Sequence, residues 1–178
     1  MIYMFLAEGF EETEAIGALD VIRRAGIEIK TVAIGENPVK GSHGVEIFAD
    51  IDKSAVTFDG LEGVILPGGM PGTTNLQKDD IVQSAIAYCH EKGLLMAAIC
   101  AAPMVFGDAG LLKGHRATCY PGFEEHLTGA EYSPDSVVKS GNVITAKGAG
   151  AAMLFGAEIV DYFKAGIGRE ILDSMQHA

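Results

Sequence analysis

The fold of this chain is decided by the stretch Leu94-Leu-Met-Ala-Ala-Ile-Cys-Ala-Ala-Pro-Met104. The unbroken apolar run predicts a buried strand, and the alanines and proline after it predict the start of a helix. Cys100 lies between the two, at a sharp turn. Ala98 and Ala102 lie two positions to either side, and a tight nucleophile elbow requires small residues there. The stretch therefore predicts a parallel α/β sheet with a reactive cysteine at the end of one strand.

Apolar runs that end at glycine or proline alternate with helical patterns along the rest of the chain. Strands are predicted at residues 2–6, 27–34, 45–48, 63–66, 94–99, 116–120, 136–139 and 143–146. Helices are predicted at residues 11–25, 79–91, 101–109, 150–163 and 168–175. We interpret 45–48 and the segment around Val39 as a small antiparallel excursion. The alternation is typical of βαβ units, so we expect one domain over residues 1–178, with a mostly parallel sheet between two layers of helices.

The composition excludes several classes of partner. The chain has 178 residues, a net charge of −11 and a pI of about 4.8, so nucleic acid and anionic membranes would repel it. Its most apolar stretch contains Pro103 and is shorter than the roughly 18 residues of a membrane span. Residues 1–6 lack a basic flank and lead into glutamates, which favours a strand over a signal peptide. With three cysteines and no CxxC pair, we expect reduced thiols and a cytoplasmic location.

Three segments are expected to meet at the carboxyl ends of the strands, where parallel sheets form their sites: residues 7–14, residues 67–72 and Cys100. A helix N-terminus favours the thiolate, so we expect a pKa of Cys100 below the roughly 8.5 of a free thiol. Glycines in the 67–72 loop would let a backbone N–H approach a ligand, together with the N–H of Ala101, to flank an oxyanion. The same glycines are equally consistent with a simple turn.

Glu14 is the second candidate. On a helix it shares a face with Ala18, Val21 and Ala25, so its carboxyl is expected to point inward. Burial favours the neutral carboxyl, and we expect a protonated Glu14 to donate a hydrogen bond to the sulfur of Cys100. The spacing alone does not single it out, because Glu11 precedes apolar residues in the same way.

Four motifs carry a resemblance to a known family: Glu8-Gly-Phe-Glu-Glu-Thr-Glu14, Leu66-Pro-Gly-Gly69, Ala97-Ala-Ile-Cys-Ala-Ala-Pro103 and Thr145-Ala-Lys-Gly-Ala-Gly150. In register and in combination they resemble the ThiJ/PfpI superfamily, in the branch of the parkinsonism-associated protein deglycase and its bacterial relatives. The resemblance implies a flavodoxin-like α/β sandwich and a homodimer. It also implies that Cys100 is the nucleophile, Glu14 its carboxylic-acid partner, and Gly69 and Ala101 the backbone donors to an oxyanion.

One position departs from the better-studied members. They carry a histidine near the cysteine, whereas this chain has Tyr120, and a phenol with a pKa near 10 is a poor general base at neutral pH. A Cys–His dyad of the protease type is therefore disfavoured. Nothing in the sequence places His115 or His126 beside Cys100. No pattern indicates a metal, and Gly148-Ala-Gly150 is a weak dinucleotide signal, so we predict neither metal nor cofactor.

Two functional hypotheses follow. The first is a cofactor-free, cysteine-dependent glyoxalase or deglycase that acts on methylglyoxal-type aldehydes or early glycation adducts, linked to oxidative or carbonyl stress. The second is a non-enzymatic redox sensor or stress chaperone that is switched by oxidation of Cys100. The expected partners are a small aldehyde or glycated substrate and a second copy of the chain.

Overall fold

The computed structural model describes residues 1–177 and contains eleven strands within them. In chain order they are β1 (Ile2–Ala7), β2 (Ile29–Ile34), β3 (Val39–Lys40), β4 (Glu46–Ile47), β5 (Ile51–Asp52), β6 (Gly63–Leu66), β7 (Leu95–Ile99), β8 (Arg116–Ala117), β9 (Glu131–Tyr132), β10 (Val137–Ser140) and β11 (Val143–Ala146).

Six α-helices connect the strands: α1 (Glu12–Arg24), α2 (Gly72–Lys78), α3 (Asp80–Lys92), α4 (Pro103–Asp108), α5 (Ala152–Phe163) and α6 (Ile167–Ser174). Helices α1 and α3 begin at acidic caps. The Glu11 carboxylate accepts from the N–H of Glu14 at 2.7 Å, and the Asp79 carboxylate accepts from the first turn of α3. No helix in residues 1–177 combines the length and the apolar character that a membrane crossing requires.

Seven strands form the central sheet, in the order β10-β11-β7-β6-β1-β2-β5. All neighbours run parallel except β10, which pairs antiparallel with β11. The strands β3 and β4 form a separate antiparallel hairpin, in which Val39 is paired with Ile47, as the sequence predicts.

Two apolar cores cover the two faces of the sheet. Strand β1 contributes to both, because Met4 and Leu6 pack on the side of α1 and α5 while Tyr3 and Phe5 pack on the side of α3 and α4. Alternate side chains of a strand point to opposite faces, so a strand buried on both sides is apolar throughout. This arrangement confirms the predicted three-layer α/β sandwich.

Two local predictions are corrected, and one helix was missed. The strand predicted at 116–120 is limited to Arg116–Ala117, which pairs parallel with β9 outside the main sheet. The helix predicted at 101–109 spans only Pro103–Asp108, because the preceding residues are used by the turn. The sequence also gave no sign of α2, whose residues Gly72-Thr-Thr-Asn are typical of loops.

The sheet order places the important loops side by side. Strands β11, β7, β6 and β1 are consecutive neighbours, and their carboxyl ends lead to Lys147, Cys100, Pro67 and Glu8, respectively. Any site formed by these loops lies above the middle of the sheet.

Candidate active site

Cys100 occupies a sharp turn between β7 and α4. Its φ of 65° lies in the left-handed region, which costs a residue other than glycine about 1–2 kcal/mol. Two hydrogen bonds hold the strained backbone, since the N–H of Cys100 donates to the carbonyl of Ala146 at 2.9 Å and its carbonyl accepts from the N–H of Tyr120 at 2.8 Å. The predicted cysteine elbow is therefore present, and its thiol is half-buried.

Glu14 lies in the first turn of α1 and is 1% exposed. Its Oε2 accepts a hydrogen bond from the N–H of Gly68 at 2.8 Å, and its carboxyl contacts the thiol of Cys100. A Cβ at Gly68 would lie 2.5 Å from the Cβ of Cys100 and 2.6 Å from Oε2 of Glu14. Only glycine at position 68 allows the acid and the thiol to meet.

Burial governs the protonation of this pair. It is the main cause that raises the pKa of Glu14 to about 7, against the opposing hydrogen bonds from Cys100 and Gly68. Burial and the adjacent Glu14 carboxylate raise the pKa of Cys100 to about 12. The expected lowering of the thiol pKa is wrong, because desolvation and the adjacent Glu14 outweigh the backbone hydrogen bonds from Ala101 and Gly69.

Two backbone N–H groups approach the sulfur. The N–H groups of Ala101 and Gly69 donate to Cys100, which favours its thiolate but does not overcome burial. Gly69 has a φ of 87°, and a Cβ there would lie 2.5 Å from the N of Glu11 and from the carbonyl oxygen of Gly9. The loops after β1 and β6 thus touch backbone to backbone, which fixes the N–H of Gly69 toward the thiol.

Tyr120 lies at the rim of the site and is 50% exposed. Its ring packs on Gly148, and a Cβ added at position 148 would lie 3.2 Å from the ring. The sequence could not place His115 or His126 relative to Cys100. In the structure both form hydrogen bonds with other residues: His115 Nδ1 with the carbonyl of Ser140 at 2.9 Å, and His126 Nδ1 with Asp108 at 2.9 Å.

A second cluster, which the sequence did not indicate, borders the site on the side of α1. Burial raises the pKa of Glu12. Hydrogen bonds from the side chain and backbone of His43 and from the N–H of Val45 nevertheless lower it to about 2. Glu11, Glu12 and His43 bring ligand-type atoms within 4.8 Å of one another. Because Glu12 already accepts from the β3–β4 connection, we assign the cluster to holding that hairpin over α1.

The other two cysteines are buried, as the sequence predicts. Burial raises the pKa of Cys89 to about 12, and burial together with the charge of Glu124 raises the pKa of Cys119 to about 11. Of the three thiols, Cys100 alone is partly exposed.

A parallel α/β sandwich with a strained cysteine elbow, a buried carboxyl partner and two N–H donors defines a class of cysteine-centred α/β proteins. Residues 1–162 match the model of the DJ-1/PfpI family. The chain therefore belongs to the DJ-1/PfpI family, and the resemblance inferred from its motifs is confirmed.

Individual relatives agree with this assignment. The chain is 38% identical over 161 residues to Protein dj-1beta of Drosophila melanogaster, covering 89% of this chain and 86% of that protein. It is 33% identical to "Glutathione-independent glyoxalase DJR-1.2" of Caenorhabditis elegans, covering 86% of this chain and 83% of that protein. It is also 38% identical over 160 residues to Protein DJ-1 homolog B of Arabidopsis thaliana, covering 88% of this chain but only 36% of that longer protein.

The fold agrees as well. The structure titled "Toxoplasma gondii DJ-1, oxidized" superimposes with a TM-score of 0.94 at 28% identity, covering 99% of this chain and 98% of that one. This likeness confirms the flavodoxin-like α/β fold.

Proposed function

We propose that this protein is a cofactor-independent, cysteine-dependent glyoxalase or deglycase that acts on methylglyoxal-type aldehydes or early glycation adducts. The observation that carries the proposal is the contact of the Cys100 thiol with the Glu14 carboxyl, beneath the N–H groups of Gly69 and Ala101. The C. elegans relative named as a glutathione-independent glyoxalase supports the same activity.

The first step adds the thiol to the aldehyde. The thiol proton moves to the Glu14 carboxylate, and the sulfur forms a bond to the aldehyde carbon while the C=O electron pair moves onto oxygen. The N–H groups of Gly69 and Ala101 stabilise that oxyanion, which then takes the proton back from Glu14. The product is a hemithioacetal, and Glu14 is again a carboxylate.

The second stage transfers a proton within the bound substrate. Glu14 removes the proton from the former aldehyde carbon and returns a proton to the neighbouring carbon, which gives a hydroxyacyl thioester. Water then cleaves the C–S bond and releases the hydroxyacid and the thiol. One carbon is oxidised and its neighbour is reduced, so no external oxidant is needed. A pKa of about 7 suits Glu14 to this exchange at neutral pH.

Replacement of the nucleophile tests the proposal. Cys100→Ser is expected to lower kcat/KM for methylglyoxal by about a thousandfold or more, because a serine hydroxyl is not ionised here. The measurement is hydroxyacid formation by pure protein. Cys89→Ala is the matched control, since Cys89 is fully buried away from the site. Turnover that survives in Cys100→Ser would refute the catalytic role.

Redox sensing is the second candidate. Cys100 is the thiol that solvent reaches, and the related T. gondii DJ-1 structure is of the oxidised protein. We expect mild peroxide to convert Cys100 to sulfenic and then sulfinic acid before Cys89 or Cys119 reacts. Peptide mass spectrometry measures this order, and oxidation that begins at Cys119 would contradict it.

We further propose that the protein works in the cytoplasm as a homodimer. The face formed by α1 and the β3–β4 hairpin carries exposed apolar side chains, among them Ile16, Val45 and Phe48, the last of which is 78% exposed. Apolar side chains concentrated on one face are typical of a protein interface.

A further inference from the structure

A pocket of about 420 Å³ opens at the carboxyl end of β11, between Tyr120 and residues 147–151. We call it the Lys147 pocket; its walls include Tyr120, Pro121, Lys147, Gly148 and Leu154. The mechanism above uses none of these side chains.

Two of its residues join the pocket to the reacting groups. Tyr120 donates its backbone N–H to the carbonyl of Cys100 at 2.8 Å. A Cβ at Gly148 would lie 3.2 Å from the ring of Tyr120 and 3.9 Å from Oε1 of Glu14. Because Gly148 has no side chain, only its backbone lies between the acid and the pocket at this position.

The walls combine apolar surface with one positive charge. Tyr120 and Leu154 are 50% and 39% exposed, respectively, although both are large apolar side chains. Lys147 is half-buried, and none of the ion pairs among residues 1–177 involves its ammonium group, whereas Lys139 on neighbouring β10 is paired with Glu158. A half-buried cation without a carboxylate partner favours an anionic ligand.

We propose that the Lys147 pocket binds the substituent R of an oxoaldehyde R–CO–CHO and selects substrates in which R is an apolar stem that ends in a carboxylate. This proposal rests on the proposed function for the identity of the reacting group. With the aldehyde carbon at the sulfur of Cys100 and its oxygen at the N–H groups of Gly69 and Ala101, R extends past Gly148. The stem packs on Tyr120 and Leu154, and the carboxylate reaches Lys147.

Turnover of three oxoaldehydes tests the selectivity: methylglyoxal, phenylglyoxal and 4-carboxyphenylglyoxal. We expect kcat/KM to rise in that order. Lys147→Gln is expected to lower the preference for 4-carboxyphenylglyoxal over phenylglyoxal about tenfold. Lys113→Gln is the matched control, because it removes the same charge from an exposed position outside the pocket. A preference that is unchanged in Lys147→Gln would overturn the proposal.

A second measurement does not require turnover. Benzaldehyde and 4-carboxybenzaldehyde form hemithioacetals but have no adjacent carbonyl, so they cannot be isomerised. We expect 4-carboxybenzaldehyde to protect Cys100 from iodoacetamide at about tenfold lower concentration than benzaldehyde, with the difference lost in Lys147→Gln. If this holds without oxoaldehyde turnover, the pocket assignment stands and the glyoxalase proposal fails. If the two benzaldehydes protect Cys100 equally, or if neither protects it, the pocket assignment is overturned. This holds whether or not the protein turns over oxoaldehydes.

Discussion

The carboxyl of Glu14 and the thiol of Cys100 lie in one buried site and share its protons. Their pKa values of about 7 and about 12 mean that the pair holds a single proton at mildly alkaline pH. That proton gives an inert thiol when it is on sulfur and a reactive thiolate when it is on Glu14. The chemistry proposed above therefore depends on moving a proton within the pair.

The raised pKa of Glu14 makes stability depend on pH. Folding favours the protonated acid, so this stabilisation is complete below the unfolded pKa of 4.5 and is lost as the pH rises through about 7. Glu14→Gln keeps the shape and the acceptor for Gly68 but carries no charge. We expect it to raise the free energy of unfolding at pH 8 by up to about 3 kcal/mol, and the gain to vanish near pH 4.

Urea denaturation at the two pH values measures this change. Glu8→Gln is the matched control, because Glu8 is exposed and its replacement should alter stability by less than about 0.5 kcal/mol. A gain of equal size at pH 4 and pH 8 would show that the charge of Glu14 is not its source.

The site depends on the close approach of two loops, one after β1 and one after β6. The N–H of Glu11 donates to the carbonyl of Gly68 at 2.9 Å, and the N–H of Gly72 donates to Gly9 at 3.3 Å. These contacts join the start of α1 to the start of α2. The helices therefore position Glu14 and the N–H of Gly69 as one unit.

Gly68→Ala tests that unit. The added Cβ would lie 2.9 Å from the carbonyl oxygen of Ile99 and still closer to Cys100 and Glu14, so we expect a loss of about 2–3 kcal/mol in the free energy of unfolding. We also expect faster alkylation of Cys100 as the carboxyl is pushed away. Gly150→Ala is the control for stability, because a Cβ there meets no atom within 4 Å. Equal stability of the two variants would contradict the packing argument.

The strands and the elbow could be predicted because they depend on local sequence. Apolar runs located β1, β6 and β7 to within a residue or two, and small neighbours marked Cys100. Helix α2 could not be predicted, because contacts with the loop after β1 stabilise a loop-like sequence. The prediction of a lowered pKa for Cys100 was wrong because that pKa depends on how far water is excluded from the thiol. The sequence does not show this. The Lys147 pocket depends on packing between distant segments.

The face of α1 and the β3–β4 hairpin is the proposed dimer interface. Phe48→Asp is expected to convert the proposed homodimer to a monomer, because a buried unpaired carboxylate is costly at an interface. Light scattering after gel filtration gives the mass. Tyr132→Asp is the control, since Tyr132 is an exposed aromatic residue on β9, outside that face. A wild-type mass of one chain would refute the dimer.

The ends of the seven-stranded sheet have a consequence for behaviour at high concentration. An edge strand offers unpaired N–H and C=O groups to other chains, and long flat edges promote aggregation. Here one edge, β5, is two residues long, and the other, β10, carries Lys139 in an ion pair with Glu158. A short edge and a charged edge both discourage strand addition. The sheet therefore ends in ways that keep neighbouring molecules from extending it into fibrils.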